Sequence, residues 1–179
     1  MKQNFTPPIA SIDRSFKIIA VVAFMVVGLL LWHITKAATT ANVTATVSAV
    51  NLAISVADGA IAYGSVNLST ATTTANNGET QTVTNDGSIM KLNVKSSDAT
   101  GGTAWTLGTS IGSNIFKHEV STTTGSTYMT FQATDTYLTA STSIAAGLTQ
   151  GLDFRLTTPS GSTDFVQKSI TVTVQAATP

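Results

Sequence analysis

The sequence predicts an all-β fold, a two-sheet antiparallel β-sandwich of immunoglobulin-like or jelly-roll order, preceded by one N-terminal hydrophobic helix. Three observations carry this expectation. Residues 18–32 form an unbroken apolar run. From residue 42 onward the composition turns to Thr, Ser, Gly, Ala and Val, and apolar residues recur with period 2 rather than about 3.6. Clusters of Gly, Asn, Asp and Pro interrupt these alternating stretches at short intervals, as hairpins and corners require. With 179 residues and no cysteine, there is length for one domain of ordinary size, held by its core rather than by disulfides.

The first element, IIAVVAFMVVGLLLW over residues 18–32, lacks the polar face that a buried helix of a soluble domain would carry. At about 1.5 Å per residue, a helix over 18–34 only just spans a hydrocarbon core of roughly 30 Å. It reads as a signal peptide or a membrane anchor. Thr35 and Ala37 have the small side chains of a signal-peptidase site, which would place the cut after Ala37. The expected organisation is a cytoplasmic n-region over 1–17, a signal or transmembrane helix over 18–35, a linker or cleavage region over 36–41, and an extracellular β-sandwich over 42–176.

Charge orients this arrangement. Through Lys36 four basic residues oppose one acid, a net +3, whereas the remainder sets five basic residues against eight acids, a net −3. Lys2, Arg14 and Lys17 precede the apolar run, which holds the N-terminus in the cytoplasm and sends the rest out. The expected location is the cell surface, with the membrane as partner through 18–35 unless that segment is cleaved near Ala37. A mildly acidic exterior domain with no basic stripe excludes nucleic acid as a partner.

Strands are expected in the following order. Val43, Ala45, Val47 and Ala49 alternate with Thr44, Thr46 and Ser48, so 43–47 is a strand pattern placed directly after the cleavage point. It is either the first strand of its own sheet or an assembly strand that joins a neighbouring copy and builds a polymer. Stretches 52–56, 61–66 and 79–84 follow. The alternation is clearest in MKLNVK over 90–95, with Met90, Leu92 and Val94 toward the core and Lys91, Asn93 and Lys95 toward solvent. Patterns at 103–107, 115–120 and 128–132 are weaker; LDFRL over 152–156 and ITVTV over 170–174 are again clear. Asp58-Gly59, Asn77-Gly78, Asp86-Gly87, Gly101-Gly102, Gly125 and Pro159-Ser160-Gly161 supply the turns. About eight to ten short strands so punctuated describe a sandwich.

Catalytic patterns are sparse. Gly108-Thr109-Ser110-Ile111-Gly112 spells the G-x-S-x-G of many hydrolases, but a nucleophile elbow leads from strand to helix, and here a strand pattern follows Gly112. His118 shares the parity of Phe116 and Val120, which makes it a half-buried strand residue more readily than a base. No enzymatic site, cofactor or metal is expected. One histidine beyond the leader and no cysteine cannot build an ordinary zinc site. Asp58, Asp86, Asp98, Asp135 and Asp164 lie near turns, where Asp serves its own backbone, and a calcium site gathered from such loops is the alternative. Glu119 and Asp153 lie in strand patterns with nothing to pair them for glycoside cleavage.

Trp105 is expected between the sheets. The alternative sets Trp105, Tyr128 and Tyr137 on the surface as stacking platforms for a ligand.

The segments VADGAIAYGSV, QTVTNDGS, WTLG, FKHE and LDFRLTTPSGSTDFVQKSITVTVQA resemble a recurrent family of small exported proteins of candidate-phyla (Patescibacteria-type) bacteria. That family has no established activity, so the resemblance implies secretion and a β-sandwich and carries over no site residues. In plan, though not in motif, a short leader before a Ser/Thr-rich sandwich is similar to camelysin/TasA-type subunits of bacterial surface fibres. The expected function is that of a non-enzymatic structural protein of the cell surface, a subunit of a filament or layer. The alternative is an adhesin or carbohydrate-binding module.

Overall fold

A computed structural model describes residues 12–32 and 40–179, and within the first stretch the side chains of 18–28. Two compact units divide the chain at Val47 and Ser48. The first contains helix α1, Ile12–Trp32. It takes in the apolar run and starts upstream of it, since residues 12–17 contain no Gly or Pro to stop a helix. Residues 18–28 are exposed and apolar, and at about 1.5 Å per residue they cover about 16 Å. Among the described residues no helix is long and apolar enough to cross a membrane. Thr35, Ala37 and the expected cleavage point lie outside the described residues.

The second unit is built of β1 (Ile54–Ala57), β2 (Ala71–Thr73), the single turn α2 (Thr74–Asn77), β3 (Gln81–Asn85), β4 (Met90–Ser96), β5 (Thr106–Leu107), β6 (Ile115–Ser121), β7 (Met129–Thr130), β8 (Leu138–Ile144), β9 (Thr149–Thr157) and β10 (Val172–Ala177). One sheet runs β1-β3-β9-β6-β5, with β2 also on β9 and β7 also on β6; the other is the narrower β10-β4-β8. All pairs are antiparallel except the two-residue pair of β5 and β6.

Alternation produces this layering. On β4, Met90, Leu92, Val94 and Ser96 are buried while the lysines between them reach solvent. On β9, Leu152, Phe154 and Leu156 are buried toward the same core, and Val83, Phe116, Val120, Phe131 and Ile144 complete it. Burying each such Leu or Phe contributes about 1.5–3 kcal/mol over leaving it in water. The turns follow their chemistry. Gly78 caps α2 with φ 73° and donates its N–H to the Thr74 carbonyl. Gly101 (φ 108°) runs so close to the Gln167 carbonyl that a Cβ would collide with it.

Several expected strands are absent or displaced. Residues 43–47 pair with nothing among the described residues, because alternation marks a strand only where a neighbour accepts its backbone bonds. Residues 61–66 form no strand, yet Ile61 and Tyr63 rest on the core. Strand β8, LTASTSI, carries no strong apolar alternation and is held by its pairing with β4. Trp105 is half-buried at the margin of the core rather than enclosed between the sheets. Its indole N–H donates to Ser162 Oγ at 3.0 Å.

Candidate functional site

The G-x-S-x-G stretch lies in the loop between β5 and β6, with Ser110 exposed and β6, not a helix, following. His118 is buried on the inner face of β6, and its ring meets a different serine. Nδ1 lies 2.8 Å from Ser96 Oγ of β4, and Nε2 lies 2.9 Å from the Tyr63 hydroxyl. One imidazole therefore ties the wide sheet, the narrow sheet and the segment after β1 together. Phe131 and Phe154 flank it, with ring centroids at 5.4 and 5.6 Å. Burial in these apolar surroundings pulls the His118 pKa down to about 4, against the opposing charge of Glu119, so the ring is neutral at pH 7. Burial likewise pushes the Tyr63 hydroxyl well above its ordinary range.

On the outer face of the same sheet, Glu119 and Asp153 are buried but already engaged. Glu119 accepts from Lys117 Nζ at 2.8 Å, Arg155 Nε at 2.5 Å and Thr130 Oγ1 at 3.1 Å. Burial alone would raise its pKa; the bonds from Arg155, Lys117 and Thr130 outweigh burial and hold the carboxyl at about 2. Asp153 accepts from the Thr74 and Thr80 hydroxyls beside α2. Arg155, placed on the solvent face by its parity, thus has a buried partner.

The loop aspartates do not converge. Asp98 accepts from the Leu107 N–H, Asp135 from Lys95, and Asp164 from Lys168. Among the described residues no three His, Cys, Asp or Glu side chains are grouped to hold a metal ion. The three candidate aromatics are also apart, and each has a cation over its ring: Lys168 over Trp105, Arg155 over Tyr128, Lys95 over Tyr137. Lys168 is itself clasped by the carbonyls of Gly101 and Thr103 and by the Asp164 carboxylate.

The other notable feature is an open cleft of about 1400 Å³, larger than the roughly 300–1,000 Å³ of ordinary small-ligand pockets. It is lined by Ile61 and Tyr63, by Leu152 from β9, by Phe165 on the loop before β10, and by Val172 and Val174 on β10. Phe165 is 81% exposed. The cleft arises because β10 ends the narrow sheet, while inward residues of β1, β3 and β9 also line the opening. Val43 and Val47 of the segment with two alternative readings, own first strand or assembly strand, are 92% and 96% exposed, and Ala45 and Ala49 are exposed with them.

No family model matches the chain, and no curated protein or solved structure is significantly similar to it.

Proposed function

We propose that this chain is a non-enzymatic, exported structural protein of the cell surface, a subunit that joins copies of itself into a filament or layer. The observation that carries this reading is the run 40–50, which has an alternating Val/Ala pattern, exposed side chains and no strand partner among the described residues. A stretch so patterned gains most from a sheet edge supplied by another copy. The apolar run inside α1, with three cations ahead of it, supports export and either membrane anchoring or removal of the leader. The non-enzymatic part of the reading is supported by the engagement of His118 and Glu119 in structural bonds to other residues, while Ser110 lies on an exposed loop.

Electron microscopy tests the function. Protein beginning at Ala38 forms filaments or sheets in negative stain, and protein beginning at Asn51 stays a folded monomer. If the longer protein remains monomeric at high concentration, or the shorter one assembles equally well, the reading fails.

A further inference from the structure

We infer that a lipid bilayer surface is the partner of the end of the β unit where the chain enters it, and that Leu52, Ile89 and Leu148 dip into the bilayer's interface. This rests on the export and anchoring part of the reading above and goes beyond it, since it gives the β unit a membrane contact of its own.

Three loops knit that end together. The buried side chain of Asn85 donates from Nδ2 to the carbonyls of Ser88 and Ile144, both at 2.9 Å, and its Oδ1 accepts from the Gly87 N–H at 2.9 Å. The N–H groups of Asp86 and Ser88 donate to the carbonyls of Ala53 and Asn51, and the Asn85 N–H donates to the carbonyl of Leu148. Gly87 is required there, because a Cβ would collide with the Asn51 carbonyl. The consecutive N–H groups of residues 85–88 are thus all satisfied from within, as is that of Gly147, which donates to the Asn85 carbonyl.

Apolar side chains stand out from this closed frame. Val50, Ile89 and Leu148 are each more than half exposed and Leu52 more than a third, with Ala145 and Ala146 exposed beside Leu148. Asp86 is the only charged residue among 50–53, 85–89 and 144–149. Apolar residues gathered on a braced, nearly uncharged end mark a contact surface. Its chemistry suits lipid better than a strand of another protein: the N–H groups of 85–88 have no bond left to offer a strand, and a bilayer interface asks for none. The path of the chain supplies the occupant. Asn51 belongs to the frame, and residues 33–50 join it to the apolar run of α1 with no charge after Lys36. At full stretch that connection spans about 65 Å, so a bilayer that holds 18–32 is always within reach of this end. A tethered contact forms at high effective concentration, so a few apolar side chains suffice. Two weak membrane signals on one chain also anchor it more firmly than one.

Site-specific labels test this in the full-length chain, which has no cysteine of its own, reconstituted in vesicles of phosphatidylethanolamine and phosphatidylglycerol. Leu148→Cys, Ile89→Cys and, as a control, Ser160→Cys are each coupled to an environment-sensitive fluorophore. Ser160 is exposed and lies beyond Thr157, the far end of β9, which at about 3.3 Å per residue is roughly 25–30 Å from Thr149. Nitroxide-bearing lipids should quench the first two labels at least about threefold and the control less than about 1.2-fold, because interfacial contact reaches only about 5–10 Å deep. Adding Leu148→Asp to Ile89→Cys should cut the quenching to less than about 1.5-fold, whereas Leu148→Ile should keep it. Circular dichroism checks that these variants fold; if Leu148→Asp does not, the difference between the end labels and the control decides alone. Four results overturn the inference. Flotation with the vesicles but no quenching at Leu148→Cys and Ile89→Cys would leave the anchor standing and the contact wrong. Equal quenching of all three labels would mean that the body meets lipid with no preferred end. Blue-shifted emission that lipids do not quench, and that grows with protein density, would mean that a second copy covers this end. A full-length chain that does not float with the vesicles would remove the anchored reading and the contact with it.

Discussion

Lowering the pH from 7 should cost the β unit stability through one residue, His118. In the folded chain its pKa is held at about 4, against an ordinary 6.5, because burial disfavours the charged ring. The sign follows from linkage: the unfolded chain takes up a proton as pH falls through 6.5, while the folded chain does not until about 4. Stability from the neutral ring is therefore complete above about 6.5, declines between 6.5 and 4, and is level below. At about 1.4 kcal/mol per pH unit the full loss is about 3 kcal/mol, of which about 2 kcal/mol falls between pH 7 and 4.5. Glu119 and Asp164, both held at about 2 by bonds to cations, release their contributions mainly below that window. Urea unfolding followed by far-ultraviolet circular dichroism, at several pH values from 7 to 4.5, measures the slope. His118→Gln keeps a neutral hydrogen-bonding side chain near Ser96 and Tyr63; it should be less stable at pH 7 but nearly flat across the window. Parallel slopes for the two proteins would refute the assignment of this proton to His118.

Two further outcomes are expected. Leu92→Ala and Leu156→Ala should each lower stability by about 2–5 kcal/mol, as both side chains are buried in the core, whereas Lys91→Ala on the outer parity should shift the urea midpoint little; equal midpoints would contradict the strand faces. Ser110→Ala should alter neither stability nor any hydrolytic activity, since the serine lies on an exposed loop and His118 is buried with both ring nitrogens bonded to Ser96 and Tyr63; a serine-reactive phosphonate that labels the original chain but not this variant would contradict it.

What was legible in the sequence was local. Period-2 runs marked β4, β6 and β9 and told which side of each faces the core, because a strand's two faces are written residue by residue. The inward parity of His118 was legible for the same reason, as were the turns at Asp58-Gly59 and Asn77-Gly78, where the backbone takes positive φ at Asp58, Gly59 and Gly78. Composition likewise set out an apolar helix-forming run before a β-rich body.

Pairing and neighbourhood were decided by the tertiary structure. Residues 43–47 alternate as well as many strands do, yet pair with nothing among the described residues, while LTASTSI alternates poorly and forms β8 against β4. Whether an edge is available depends on the path of distant segments. The partners of His118 stand 22 and 55 residues away, and no spacing rule connects them. Arg155 looked solvent-facing by parity until Glu119 of the adjacent strand placed a buried carboxylate beside it. The cleft has no sequence signature, for it comes from the unequal width of two sheets, a property of how the strands are shared out after each has formed. Side-chain direction is local to the strand; the choice of neighbour requires loop closure and shared burial across the whole domain.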